Sequence, residues 1–283
     1  MSEKPAARSP KAKRATPAAL KAYLVAYNIL SALGWGYILA LTVTHILNLD
    51  GKSDNFVASH GKTATSVLSR FLSTVTLPKA LRFLSPKSIE AYLPAVLQPI
   101  YRRTETTFAR VGPTTVFVQT FALLEVVHAA LGWVRSPVVT TAMQVSSRLF
   151  MVWGIAEQFP EVRTNPLYTT MVLAWSTTEV IRYPFYAFNL VDMNPYILLW
   201  LRYTTFYVLY PLGAFSEAGL IFAVLPSSPL LPSWKSVFTG IWTTADYVRG
   251  FLFLIWWPGL YIMYTYMIVQ RRKTLGKPKV KTT

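Results

Sequence analysis

Six long apolar segments constrain the fold of this 283-residue chain more than any other feature. They lie at roughly 23–47, 114–134, 138–158, 167–190, 196–225 and 247–269. Each is long enough to cross a bilayer as a helix, and in lipid a helix pairs its own backbone polar groups. Because 53% of the residues are hydrophobic and 14% are charged, a soluble globule is excluded. The sequence therefore predicts an all-α polytopic membrane protein, a bundle of six transmembrane helices.

Basic residues flank the first and the last segment, and they account for much of the formal net charge of +16. Such clusters favour cytosolic termini, and six spans return both termini to the same side. We expect a disordered basic tail at 1–22, one membrane domain at 23–270 with a long loop at about 48–113, and a second basic tail at 271–283. The lipid bilayer is an expected partner. Nucleic acid is not, because no basic soluble module with interleaved aromatic residues accompanies the charge.

The chain has no cysteine and three histidines, His45, His60 and His128, which lie far apart in the sequence. Disulfides, cysteine-ligated metals and cysteine nucleophiles are therefore excluded. Three scattered histidines cannot build a histidine-rich di-iron centre. No glycine-rich phosphate loop or zinc-site spacing is present in the sequence. We expect neither a metal nor a cofactor.

Ionisable residues inside the apolar segments are costly, so they need partners or a function. The acidic ones are Glu125, Glu179 and Glu217, and the basic ones are Arg148, Arg182 and Arg202. Their equal numbers favour mutual pairing. Helical spacing places Gln144 on one face with Arg148, and Glu179 on one face with Arg182. We expect these residues to line one polar interior that binds or supports a substrate. The simpler interpretation, interhelical bonds that hold the bundle together, stays open.

The fifth segment holds the most informative residues, Arg202, Tyr210 and Glu217, within one apolar run. The seven-residue step from Tyr210 to Glu217 turns a helix by ~700°, which leaves both side chains within ~20° on one face and ~10 Å apart along the axis. Pro211 removes a backbone hydrogen bond and kinks the helix, and Gly213 lets another backbone or a substrate approach closely. This pattern suits a buried acid–base pair.

Several motifs lie in or between the first five segments. They are Tyr27–Trp35, Leu124–His128, Arg135–Pro137, Gln144–Arg148, Trp175–Tyr183 and Leu201–Glu217. On these motifs the chain resembles the very-long-chain 3-hydroxyacyl-CoA dehydratase family of the endoplasmic reticulum, once called protein-tyrosine-phosphatase-like. The long loop at 48–113 departs from the compact members of that family. The resemblance implies dehydration of long-chain 3-hydroxyacyl-CoA to trans-2-enoyl-CoA, the third step of fatty-acid elongation, without a cofactor and beside other elongation enzymes.

In that family a Tyr and a Glu seven residues apart are the catalytic pair, and the pattern Leu-Tyr-Pro-x-Gly-x-x-x-Glu matches Tyr210 and Glu217. A β-hydroxy thioester needs a base for the C2 proton and an acid for the leaving hydroxyl. We assign Tyr210 as the base and Glu217 as the acid, with the reverse assignment left open. The missing cysteine excludes the usual tyrosine-phosphatase chemistry. The alternatives are a non-catalytic scaffold, disfavoured by the intact pair, and a transporter, disfavoured by the lack of an internal repeat.

Two further expectations concern the surface and the C-terminus. The tryptophans are interpreted as lipid-facing or interfacial residues without a catalytic role. Lys279 and Lys281 are the fifth and third residues from the end and resemble a dilysine retrieval signal. With cytosolic termini, this spacing favours the endoplasmic reticulum membrane.

Overall fold

The computed structural model describes residues 17–60, 92–226 and 242–276, and this part of the chain is helical without strands. The helices are α1 Ala18–Leu47, α2 Ser53–His60, α3 Gln98–Thr104, α4 Thr107–Phe121, α5 Leu123–Ala130, α6 Val138–Leu149, a π-helical segment Phe150–Ala156, α7 Pro160–Arg163, α8 Pro166–Leu190, α9 Tyr196–Arg202, α10 Phe206–Ala223 and α11 Thr244–Leu275. The predicted all-α class is confirmed for these residues.

Within the described residues, four helical stretches are long and apolar enough to cross a membrane. They are Ala18–Leu47, Thr107–Ala130, Phe206–Ala223 and Thr244–Leu275. The predicted third and fourth spans are also helical, as α6 with the π-helical segment and as α8. They carry Arg148, Glu179 and Arg182 together with many hydroxyl side chains, so they are less apolar than the other four.

Side-chain contacts define two ends of the bundle. At the near end, Lys21 of α1 pairs with Asp192 after α8 at 3.1 Å, and Arg271 of α11 lies 5.6 Å from the centre of the Tyr207 ring of α10. At the far end, four arginines each pair with a carboxylate: Arg103 with Asp54, Arg110 with Asp50, Arg163 with Glu157 and Arg249 with Asp246. The start of α1 and the end of α11 therefore lie at the same end of the bundle.

Six helical segments run between these two ends: α1, α4 with α5, α6 with the π-helical segment, α8, α10 and α11. The α4–α5 stretch, for example, starts beside the far end of α8, where Thr169 bonds Thr107 at 2.8 Å. It finishes at the near end, where His128 bonds the Tyr23 hydroxyl at 2.9 Å. The central helix is α8, which packs against α1 and α10.

The predicted fifth span is interrupted. A break at Tyr203–Thr205 separates α9 from α10, so Arg202 ends one helix and Tyr210 lies on the next. The hydroxyl of Thr205 caps the break by donating to the Leu201 carbonyl at 2.9 Å. The expectation that Arg202 and Tyr210 share one continuous helix was therefore wrong.

The observed helix ends differ from the expected domain bounds. The first helix begins at Ala18 and the last ends at Leu275, and the 48–113 region contains α2, α3 and the start of α4. Of the predicted tails at 1–22 and 271–283, residues 1–16 and 277–283, with Lys279 and Lys281, lie outside the described residues, as does 61–91 of the predicted loop.

Candidate active site

Four of the six charged residues form one ionic network that joins α5, α6 and α8. The Arg148 guanidinium donates to Oε1 of Glu179, and Nε of Arg182 donates to Oε2 at 2.6 Å. Arg182 also donates two bonds to Glu125, at 3.1 and 2.8 Å. The Tyr183 hydroxyl adds a bond to Glu125 at 2.5 Å. Glu179 is fully buried, and its carboxylate is matched by two arginines from two helices. The predicted shared face of Glu179 and Arg182 is confirmed.

Glu217 has a different environment. Its Oε1 accepts a hydrogen bond from the Trp175 indole at 2.6 Å, and its Oε2 accepts one from the Trp256 indole at 2.7 Å. These donors come from α8 and α11 and carry no charge. Within the described part of the chain, Glu217 forms no salt bridge. The Arg148 guanidinium lies 5.1 Å from the centre of the Trp175 ring, so this indole touches both the network and Glu217.

Tyr210 lines a small cavity of about 60 Å³ at the near end. The lining residues are Thr178, Ile181, Arg182, Arg202, Thr205, Phe206, Tyr210 and Met267. The Tyr210 side chain is half-buried, and Arg182 and Arg202 line the cavity beside it. Since α10 is helical from Tyr210 to Glu217, both side chains lie on one face, about 10 Å apart along the axis.

Arg202 also lines this cavity, but it is not part of the ionic network. Its guanidinium lies 4.8 Å from the ring centres of both Phe185 and Tyr186 and 5.9 Å from that of Tyr203. Its Nη2 donates to the Tyr186 hydroxyl at 3.1 Å, and its Nε–H is buried without a hydrogen-bond partner in the described residues. The break before α10 places Arg202 against the aromatic residues of α8, away from the carboxylates. The prediction that all six charged residues pair with one another was therefore wrong for Arg202 and Glu217.

The structure does not bring Gln144 into the network. This side chain is exposed, and its amide approaches Sδ of Met263 on α11 at 4.0 Å. Four residues turn a helix by about 400°, so Gln144 is rotated by about 40° from Arg148 and lies one turn closer to the near end. The expectation that it lines the same polar interior as Arg148 is not met.

Gly213 is buried beside the candidate pair. A Cβ built on it would lie 3.6 Å from Cβ of Ala174 and 4.0 Å from Oε1 of Glu217, which are ordinary contacts. Packing within the protein therefore leaves room for a small side chain at this position.

Sequence reasoning missed Trp175 and Trp256. The lipid-facing interpretation is wrong for Trp175, which is 2% exposed, and for Trp35, which is 1% exposed. A signal existed for Trp175, because it lies four residues before Glu179 and shares a helix face with it. Trp256 has no such signal in its sequence neighbourhood, since the adjacent Trp257 is equally aromatic and only the fold distinguishes the two.

Comparison with known proteins identifies the family. A family model described as "Protein tyrosine phosphatase-like protein, PTPLA" matches residues 119–277. A Caenorhabditis elegans protein named very-long-chain (3R)-3-hydroxyacyl-CoA dehydratase is 35% identical over 265 residues, covering 91% of this chain and 96% of the relative. The chain belongs to the PTPLA family.

Other PTPLA relatives carry similar names. A Schizosaccharomyces pombe protein named probable very-long-chain (3R)-3-hydroxyacyl-CoA dehydratase is 41% identical over 185 residues, covering 65% of this chain and 84% of the relative. The Arabidopsis thaliana dehydratase PASTICCINO 2 is 40% identical over 179 residues, covering 62% and 81%. No solved structure matches the chain at a significant level. The matched residues 119–277 include the whole ionic network, Arg202, Tyr210, Glu217 and both indole donors.

Proposed function

We propose that this chain is a hydro-lyase that dehydrates very-long-chain 3-hydroxyacyl-CoA to trans-2-enoyl-CoA, the third step of fatty-acid elongation. Membership of the PTPLA family and relatives named as dehydratases of this substrate support the reaction. The observation that carries the site is the environment of Glu217, a carboxyl group held by two neutral indole donors. It lies on the same helix face as Tyr210, which lines a cavity.

The proposed reaction needs two proton transfers and no cofactor. Tyr210 takes the C2 proton, and the electron pair of the C2–H bond becomes the new C2–C3 π bond. The C3–O bond breaks while Glu217 donates a proton to the departing hydroxyl, which leaves as water. Tyr210 has then gained one proton and Glu217 has lost one, and proton exchange with solvent restores both. Positioned groups of this kind typically contribute about 10²–10⁴-fold each.

The surrounding residues support this pair. Arg182 and Arg202 line the same cavity as Tyr210, and positive charge near the hydroxyl favours the phenolate that a base requires. Glu179 and Glu125 fix the position of Arg182 through the ionic network. Trp175 and Trp256 orient the Glu217 carboxyl group and leave room on its oxygens for the proton that it donates to substrate.

The fold also supports a topology. We propose that six helical segments cross the endoplasmic reticulum membrane and that both termini are cytosolic, beside other elongation enzymes. The near end carries Arg271, Arg272 and Lys273, which have no ion-pair partner among the described residues, whereas the far-end arginines Arg103 and Arg110 are paired. An excess of Lys and Arg close to the ends of the spans favours the cytosolic side. The basic residues of the 48–113 loop do not conflict with a lumenal far end, because long loops have less influence on orientation than short ones.

A substrate assay tests the reaction and the roles. Purified protein in lipid nanodiscs should convert a long-chain 3-hydroxyacyl-CoA to its enoyl product, and failure would favour a scaffold. A 3-chloroacyl-CoA analogue then separates the two roles, because chloride leaves without a proton. Glu217→Gln should eliminate chloride at close to the wild-type rate, whereas Tyr210→Phe should not. The opposite pattern would exchange acid and base.

Tags at the two termini test the topology. Protease added outside sealed microsomes should remove both tags, because both lie in the cytosol. Protection of one tag would exclude an even number of spans, and protection of both would invert the orientation.

A further inference from the structure

We infer that Arg202 binds the thioester carbonyl oxygen of the substrate and stabilises the negative charge that develops there as C2 loses its proton. The inference rests on the proposed dehydration. It assigns Arg202 a specific role beyond general support of the pocket.

The first argument is the distribution of charge. Arg148 is matched by Glu179, and Arg182 by Glu179 and Glu125. Within the described residues, Arg202 has no carboxylate partner, although it lies in the same apolar surroundings. A buried cation is expensive unless a partner compensates it. An oxygen that becomes negative during the reaction would be such a partner.

The second argument is position. Arg202 and Tyr210 line the same cavity of about 60 Å³, with Thr178 and Thr205 between the apolar side chains. A base that removes the C2 proton must act next to the carbonyl carbon, since C1 and C2 are bonded. A donor for the carbonyl oxygen must therefore be close to the base, and Arg202 meets this condition.

The third argument is preorganisation. The guanidinium lies among the rings of Phe185, Tyr186 and Tyr203, and it donates a hydrogen bond to the Tyr186 hydroxyl. Its Nε–H remains buried without a partner in the described residues, and an unmade hydrogen bond of this kind is costly. Donors held in a dry site before the reaction begins stabilise developing charge without further reorganisation.

The electron flow defines what Arg202 does. As Tyr210 takes the C2 proton, the C2–H electron pair forms a C1–C2 double bond and the carbonyl π pair moves to oxygen. The pair then returns, C2–C3 becomes the double bond, and the C3–O bond breaks as Glu217 donates its proton. Arg202 forms and breaks no covalent bond; it donates a hydrogen bond and supplies positive charge.

A pair of substrates tests the inference. The first is the CoA thioester and the second is the N-acetylcysteamine thioester of the same acid, which lacks the nucleotide and every phosphate. Arg202→Gln should lower kcat by about 10²–10³-fold on both, as expected for loss of one oxyanion donor. Arg202→Lys, which keeps the charge, should recover part of the rate. Arg272→Gln, a substitution of an exposed near-end arginine outside the cavity, should leave kcat on the truncated thioester unchanged.

The outcomes are separable. A loss confined to the CoA thioester would assign Arg202 to phosphate binding, and unchanged turnover on both would remove it from the reaction; either result overturns the inference. A wild-type protein that dehydrates neither thioester would instead overturn the proposed function. Tyr186→Phe, which keeps the ring and the charge, should cause a smaller loss of kcat than Arg202→Gln.

Infrared spectroscopy gives a readout that a merely structural role would not change. An enoyl thioester labelled with ¹³C at C1 should show a lowered carbonyl stretching frequency when bound to the wild-type protein. At saturating ligand, Arg202→Gln should bind it with the frequency found in solution. A frequency that stays lowered in this variant, or that is not lowered in the wild type, would contradict carbonyl binding by Arg202.

Discussion

The same bundle holds glutamates in two contrasting environments. Glu179 is matched by two arginines and fully buried, whereas Glu217, two helices along the chain, is held by two uncharged indoles. A carboxylate with two cationic partners is fixed in its charged form and holds helices together. A carboxyl group held by neutral donors can gain or lose a proton without leaving a guanidinium unpaired. The contrast supports a stabilising role for the Glu179 region and the proposed catalytic role for the Glu217 region.

The largest expected effect is on turnover. Tyr210→Phe and Glu217→Gln should each lower dehydration by about 10²–10⁴-fold, roughly 3–5 kcal/mol of barrier. The double variant should be little worse than the worse single one, because the two residues act as a unit. Enoyl formation from 3-hydroxyacyl-CoA measures the rate, and thermal unfolding in detergent checks the fold. Wild-type turnover by a folded variant would remove that residue from the mechanism.

The second effect is on stability. Glu179→Gln leaves Arg148 without its carboxylate partner, and breaking a buried pair in this way costs about 3–5 kcal/mol of the free energy of unfolding. Denaturant unfolding and the yield of membrane protein measure it. Removing the stranded charge as well, in Glu179→Gln with Arg148→Gln, should recover part of the loss.

The matched control is the same change at the other glutamate. Glu217→Gln turns one acceptor oxygen into an amide donor, so it leaves one indole N–H unpaired at a cost of about 1–3 kcal/mol. If the two substitutions lower the free energy of unfolding equally, the two glutamates contribute equally to stability and the contrast between the regions does not hold.

A smaller effect tests the indole donors. Trp256→Phe removes one hydrogen bond to the carboxylate that Glu217 becomes as it donates its proton, and a bond to a charged group contributes roughly 1.5 kcal/mol or more, about tenfold in rate. Its neighbour Trp257 is 42% exposed and supplies the control, since Trp257→Phe removes the same group from the outer face of the helix. Steady-state kinetics should show a lower kcat for the first substitution alone. Equal kinetics for both would mean that the indole bond does not matter for turnover.

The smallest effect concerns an ion pair outside the spans. Hydrogen bonds from the Arg103 guanidinium, at 2.8 and 3.1 Å, lower the pKa of Asp54 below its ordinary value of 3.8. Because the folded-state pKa is the lower one, the stabilisation is complete above the unfolded pKa and is lost as pH falls through the folded pKa. Asp54→Asn should therefore reduce stability at neutral pH, by an amount that shrinks as pH falls below 3.8. Unfolding measured over a pH series checks this, and a difference independent of pH would contradict it.

The sequence predicted the features that depend on local pattern. The helical class follows from the length of the apolar segments, and the contact between Glu179 and Arg182 follows from three-residue spacing. The charge balance also predicted pairing across helices, and this holds for Glu125 and Arg182, which are separated by 57 positions. It could not show that Arg202 and Glu217 stay outside the ionic network, because that depends on how the helices pack. The break before α10 was equally hidden, since Tyr203–Thr205 contains neither proline nor glycine. That break places Arg202 beside the aromatic residues of α8 and leaves it without a carboxylate partner in the described residues.

Trp175 has a consequence for how natural variants of this chain are interpreted. Its ring face lies against Arg148 while its N–H holds Glu217. A substitution of Arg148 would therefore disturb the orientation of Glu217 without touching a substrate. A genetic screen that scores growth or product alone would rank Arg148 and Glu217 together, and only separate measurements of folded protein and of rate per folded molecule would distinguish a scaffold defect from a chemical one.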